Sequence, residues 1–191
     1  MPSNIAQVAD VDAAHGWVTA DNGLPCGEQG GDFINACGFD AAGEMLSHIY
    51  GTLESRGEAS ADRLLAVDLG GYFPSGSDVS DRGFAYVPDS CGASYDKCRL
   101  HIAFHGCVQG AEFVEERFAA LSGLNEWAET NRIVVVYPQV EKSLFNPKGC
   151  WDWWGYTGDD YDLQPGKQVS GVAAIIDAFA SGKLLHNPAR R

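Results

Sequence analysis

Residues 100–109 hold the densest chemistry in the chain. Leu100, Ile102 and Phe104 alternate with smaller or polar neighbours, as a strand with a buried face requires, and the run stops at His105-Gly106-Cys107-Val108-Gln109. A His-Gly pair at the carboxyl end of a strand puts a turn where open α/β sheets hold their ligands. In hydrolases of that architecture, the loop after such a strand supplies a backbone N–H that steadies the negative oxygen of a tetrahedral acyl intermediate. Cys107 is therefore expected to act as an oxyanion-hole residue through its amide and not its sulfur. The plainer reading of the same residues is a buried strand and a tight turn.

Two further groups invite a role. His15 lies between Ala14 and Gly16, at the head of a loop rich in Gly, Pro and Cys that runs to Cys37. A histidine beside glycine in such a loop is placed as a general base would be, and a surface histidine is the alternative. Three of the five tryptophans fall at Trp151, Trp153 and Trp154, followed by Tyr156. Such stiff, largely apolar rings suit gripping an apolar chain, and they suit packing equally. Asp159, Asp160 and Asp162 match no calcium loop and are expected to form a solvated turn. With no C-x-x-C and no H-E-x-x-H, neither a metal nor a cofactor is expected.

The six cysteines are many for a cytosolic protein of 191 residues, and their even number invites pairing. Sequence alone leaves many connectivities. The simplest is local: Cys26 with Cys37, Cys91 with Cys98, then Cys107 with Cys150. That pattern calls for an oxidising compartment, and it would hold Trp151 beside the oxyanion turn. The net charge of −13 and a pI near 4.6 make the surface repel nucleic acid and anionic membranes, so neither is an expected partner. No window has the roughly 18 apolar residues of a membrane span, and residues 1–12 carry neither a basic start nor an apolar core of an export signal. Secreted-type cysteines without a signal hint that Met1 is an internal or artificial start.

The elements that must position these groups follow from periodicity. Residues 40–53 carry Ala42, Met45, Leu46, Ile49 and Leu53 at helical spacing, with Asp40 as N-cap and His48 as a structural residue. Residues 54–81 are expected to be irregular, with at most a short strand near 64–67. Residues 83–88 form a strand stopped by Pro88 and are expected to neighbour 100–104 as a hairpin. Residues 111–121 give a helix, 125–131 a short one, and Ile133-Val134-Val135-Val136-Tyr137 a strand covered on both faces. Strand, helix and strand form a βαβ unit, so 100–104 and 133–137 are expected to be parallel. A last helix over 169–185 presents Val172, Ile175, Ile176 and Phe179 to the sheet.

Taken together, Cys98-Arg99-Leu100-His101 into His105-Gly106-Cys107-Val108-Gln109, Asn125-x-Trp127-Ala128-x-x-Asn131, Tyr137-Pro138-Gln139 and Asn146-Pro147-x-Gly149-Cys150-Trp151-Asp152-Trp153-Trp154-Gly155-Tyr156 resemble the poly(3-hydroxybutyrate) depolymerase family. Ala14-His15-Gly16 and Asp40-Ala41-Ala42-Gly43 match it too, so the resemblance covers almost the whole chain. It implies a secreted serine esterase with a circularly permuted α/β-hydrolase fold, a three-layer sandwich around a short, mostly parallel sheet. Carried over by position, it makes His15 the triad histidine and Cys107 an oxyanion donor disulfide-linked to Cys150. Trp151 becomes a wall of the polymer cleft, with Trp153, Trp154 and Tyr156 as further substrate contacts. The implied substrate is poly(3-hydroxybutyrate) or another small ester, hydrolysed by a monomer. A feruloyl or acetyl-xylan esterase is the rival within the class, and a non-catalytic polymer binder or truncated remnant the rival outside it.

One departure matters. The family carries its nucleophile in a Gly-x-Ser-x-Gly elbow, and no such string occurs in these residues. Ser122 and Ser170 precede glycines but lack the flanking pair. Residues 1–191 are thus expected to be a single incomplete catalytic domain, the carboxyl-terminal part, with the serine and the triad acid upstream. Alone, it is expected to be inactive, because triad members act as a unit.

Overall fold

A computed structural model describes residues 4–184, residue 96 excepted. In chain order the strands and α-helices are β1 (Trp17–Thr19), β2 (Leu24–Pro25), β3 (Ile34–Ala36), α1 (Ala41–Tyr50), β4 (Leu64–Asp68), β5 (Arg82–Tyr86), β6 (Arg99–Ile102), α2 (Ala111–Val114), α3 (Arg117–Leu121), α4 (Leu124–Asn131), β7 (Ile133–Tyr137) and α5 (Lys167–Ala180).

The architecture follows from β7. Its five residues are wholly buried, so both faces need cover and both edges need pairing. Ile133, Val135 and Tyr137 pack with Leu46 of α1, Phe118 of α3, and Leu124 and Ala128 of α4. Val134 and Val136 pack on the other side with Ile175 and Ala178 of α5. Helices therefore cover both faces of one sheet, giving three layers. The sheet runs β4-β5-β7-β6, with β6 parallel to β7 as expected and the other pairings antiparallel. A second sheet, β1-β3-β2, is wholly parallel.

Several expectations are corrected. The strands at 82–86 and 99–102 are not hairpin neighbours, because β7 lies between them, the one strand apolar enough to be enclosed on both edges. The antiparallel partner of β5 is β4, the short strand expected near 64–67, whose pairing the sequence did not indicate. The helix expected over 111–121 is two, since Glu115 takes a left-handed φ of 54° between them. The loop at 14–37 contains three short strands whose alternation was too brief to read. Ile176 does not face the sheet: it is 49% exposed, while Ile175 takes the buried position. The last helix, expected to reach Leu185, stops at Ala180 with Ser181 as its C-cap, and Leu185 itself lies outside the described residues.

The N-cap of α1 agrees with the sequence, whereas the helix expected to reach Leu53 stops at Tyr50. Asp40 Oδ1 accepts from Gly43 N at 2.9 Å to start α1, and Gly51, at a φ of 82°, ends it by donating to Ser47 O. Cys26–Cys37, Cys91–Cys98 and Cys107–Cys150 are all disulfide-bonded. No described helix is long and apolar enough to cross a membrane.

Candidate active site

The site begins where β6 runs out. Its ladder stops at Ile102, so Phe104, which alternation assigned to the strand interior, emerges 46% exposed, and its ring meets Trp151 edge-on at 4.7 Å between centroids. Next comes His105, buried. Val140 N donates to its Nε2 at 3.0 Å, which leaves the proton on Nδ1, facing Gly106 O at 2.8 Å. Burial holds its pKa below the ordinary histidine value, opposed by the Gly106 contact. His105 is therefore a neutral clamp, with no lone pair left to take a proton.

The following turn uses its backbone donors almost completely. Gly106 N donates to Gln109 Oε1, Val108 N to Lys148 O at 2.8 Å, and Gln109 N to Gly106 O. Among the described residues, nothing accepts the hydrogen of the Cys107 amide, and Cys107 is exposed. A backbone donor left open between bonded neighbours is the element an oxyanion hole requires. Val108 adopts a φ of 54°, a strained conformation for a β-branched residue. Its bond to Lys148 and the adjoining Cys107–Cys150 disulfide hold it there, and strain of this kind gathers at functional sites.

His15 is brought to the same place. It is exposed and shares with Gly16, Trp17, Phe33, Phe104, His105, Gly106, Cys107, Val108, Gln109 and Lys148 the lining of one depression of about 460 Å³. The residues around it are pinned. Ala14 N donates to Cys26 O, Trp17 N to Phe33 O, and the Trp17 indole N–H to Ser122 O. Gly16 is obligatory, because a Cβ there would come within 2.1 Å of Asn35 Oδ1 and 2.9 Å of Phe33 O.

Beside this depression, and sharing Phe104 and His105 with it, lies an apolar cleft of about 500 Å³ lined by Trp151, Asp152, Tyr161, Gln168, Val169 and Val172. Trp151 stands between a fixed cysteine and a fixed aspartate. Asn146 holds Cys150 by both its backbone N–H and its C=O. Asp152 accepts from the amides of Trp154, Gly155, Tyr156 and Thr157 and from the Thr157 hydroxyl. Burial pushes the Asp152 carboxyl up, but these bonds outweigh it and hold the pKa below the usual aspartate value. Burial also pushes the Tyr156 phenol up to about 12, so it stays protonated and donates to Cys150 O.

Of the residues expected at the site, His15, Cys107 and Trp151 line these two adjoining hollows. Trp153, Trp154 and Tyr156 line neither. Trp153 is 71% exposed, and Trp154 leans on Tyr156 at 4.7 Å. Tyr161, Val169 and Val172 were missed, since nothing in their local pattern separates a cleft wall from a helix or turn surface. The other matching motifs prove to be scaffold. Asn125 takes the Tyr137 hydroxyl, Asn131 bonds Glu54 through both backbone groups, and a Cβ on Gly43 would strike Trp127 at 2.4 Å. Among the described residues, no three His, Cys, Asp or Glu gather to hold a metal ion.

No family model matches the chain. It is 37% identical over 182 residues to a poly(3-hydroxybutyrate) depolymerase of Delftia acidovorans, covering 94% of this chain and 36% of that protein. It is 34% identical over 196 residues to a polyhydroxybutyrate depolymerase of Talaromyces funiculosus, covering 94% of this chain and 57% of that one. Among solved structures, the PHB depolymerase of Penicillium funiculosum superposes with a TM-score of 0.87 at 32% identity, over 95% of this chain and 61% of that chain. A serine-to-alanine variant of a PHB depolymerase, complexed with an R3HB trimer, gives 0.83 at 32% identity, over 89% and 58%. The chain thus spans only part of each relative's length. With a three-layer fold of the α/β-hydrolase type, the chain is similar along nearly its whole length to a part of these poly(3-hydroxybutyrate) depolymerases.

Proposed function

We propose that the polypeptide carrying this chain is an extracellular carboxylic-ester hydrolase that cleaves poly(3-hydroxybutyrate) or a related short-chain polyhydroxyalkanoate, acting as a monomer by a Ser-His-Asp mechanism. The single observation that carries this reading is the shared depression, lined by an exposed histidine and by Cys107 with its open backbone amide, beside an apolar cleft. Binding of an R3HB trimer by a structural relative supports a polyester substrate. Three disulfides support an oxidising compartment.

In this mechanism the serine and the acid come from polypeptide outside these 191 residues, which form the carboxyl-terminal part of one catalytic domain. The serine oxygen bonds to the ester carbonyl carbon while its proton passes to His15. The carbonyl oxygen becomes an oxyanion and takes the N–H of Cys107. Collapse expels the alcohol, which receives the proton from His15, and water releases the acyl group by the same route. Phe104 and Trp151 supply the apolar wall along which the chain lies.

The test is hydrolysis of p-nitrophenyl butyrate and of poly(3-hydroxybutyrate) granules by the full-length polypeptide and by residues 1–191 alone. The full-length protein is expected to be active, and His15→Ala to lower kcat by roughly 10²–10⁴-fold. Residues 1–191 alone are expected to be inactive. Activity of the isolated chain, or a preference for feruloyl or acetyl-xylan esters over hydroxybutyrate, overturns the reading.

A further inference from the structure

Two features of the site are far apart in sequence and must still be set at a fixed spacing: the turn that carries the Cys107 amide and the segment that carries His15. One side chain touches both supports. Gln109 is buried; its Oε1 accepts from Gly106 N at 2.8 Å, and its Nε2 donates to Asp32 O at 2.9 Å and to Phe33 O at 3.1 Å. Phe33 O is also the oxygen that takes the N–H of Trp17, two residues after His15. We infer that Gln109 is a positioning residue that sets the separation between His15 and the Cys107 amide, an inference that rests on the functional reading above.

The choice of side chain follows from what the two ends demand. One end needs an acceptor for a backbone N–H, and the other needs donors for two backbone carbonyls. Among side chains, only the primary amides of Asn and Gln carry both on one rigid group without charge. A carboxylate would turn an oxygen toward the two carbonyls, and a lysine would offer Gly106 no acceptor. The far support is itself anchored. Asp32 is buried, its Oδ2 bonded to Arg117 Nε at 2.8 Å and its Oδ1 taking Ile34 N. Phe33 is held at a φ of 55°. The near support is held by the His105 clamp. Gln109 therefore joins two fixed bodies, and a shift of either moves one half of the site relative to the other.

The test uses Gln109→Met, which removes both ends of the strut at similar bulk, and Gln109→Glu, which keeps the acceptor for Gly106 and loses the donors. In the full-length polypeptide both variants are expected to lower kcat for p-nitrophenyl butyrate by roughly 100-fold, the cost of an ångström-scale misplacement, with KM within about threefold. Amide hydrogen exchange followed by NMR in the wild type is expected to show Gly106 protected and Cys107 exchanging fast. In Gln109→Met the Gly106 protection is expected to vanish while that of β7 remains. A kcat within about threefold of wild type, or a loss that only follows the unfolded fraction, overturns the inference. So does a Gly106 amide that exchanges as fast as that of Cys107 in the wild type, a measurement that decides the matter even if neither variant folds. A wild-type protein with no ester hydrolysis overturns the functional reading instead, and exchange still judges the strut.

Discussion

The turn at residues 105–110 and the loop at residues 150–157 are joined by the Cys107–Cys150 disulfide, yet opposite means hold them in shape. In the turn, the fixing partners are distant in sequence: Val140 for His105, Asp32 and Phe33 for Gln109, Lys148 for Val108. In the loop, one carboxylate gathers five donors from the four residues 154–157. The first shape is thus a property of the assembled core, and the second is largely a property of its own segment. This difference accounts for what each presents. The turn holds the exposed Cys107 amide at a set place, whereas the loop turns Trp153 and Trp154 outward and, of its tryptophans, gives only Trp151 to the cleft.

The comparison can be broken at its join. Replacing Cys107 and Cys150 together by serine frees a span of 43 residues and is expected to cost about 4 kcal/mol, read from urea unfolding. Amide protection around Asp152 is expected to survive, since that network is local. Loss of both networks at once would show that the loop depends on the core as the turn does.

Within the loop, Asp152→Ala leaves four amides and a hydroxyl without their acceptor and is expected to cost about 2–3 kcal/mol, with loss of near-ultraviolet dichroism from the tryptophans. The acid limb follows from the sign of its shift. Because the folded pKa lies below the usual aspartate value, the stabilisation is present above that value and is lost as pH falls through the depressed one. Asp152→Asn should flatten that limb.

The turn has its own pH signature, smaller and at a different place. Burial holds His105 neutral in the folded state, so the unfolded chain binds its proton first. Stability is then full above the ordinary histidine value of about 6.5 and declines as pH falls below it. Burial lowers His101 likewise, so the two share the window, and His105→Gln should remove only part of the slope. An unchanged slope would mean that the clamp is not closed. Smallest of all, Trp153→Ala is expected to change stability by no more than about 0.5 kcal/mol, because the ring is mostly in solvent. A larger loss would mean that the outward rings pack on something.

Much of the fold could be read from local pattern. The β-branched run at 133–137 marked the sheet centre, Asp40 marked the start of a helix, and the parallel pairing of the strand near 100–104 with 133–137 followed from the helical segment between them. The order of strands was not readable, because pairing is chosen by which strand can be enclosed on both edges, a contest among distant segments. The candidate site divided in the same way. His15, Cys107 and Trp151 stood out by type and motif, whereas Phe104 passed for a core position until the ladder was seen to stop at Ile102.

By itself, the sequence determined the residue types that chemistry needs, the N-cap of α1, the buried central strand and the likeness to poly(3-hydroxybutyrate) depolymerases, since each rests on spacing within a short window or on matched strings. Only the tertiary structure decided that the Cys107 amide stays open while its neighbours are bonded, and that His15 shares its depression. It alone showed Gln109 spanning the gap. Those facts depend on carbonyls and amides supplied by residues 30 to 80 positions away. Backbone groups are the same at every residue, so no local pattern of side chains announces which of them will meet.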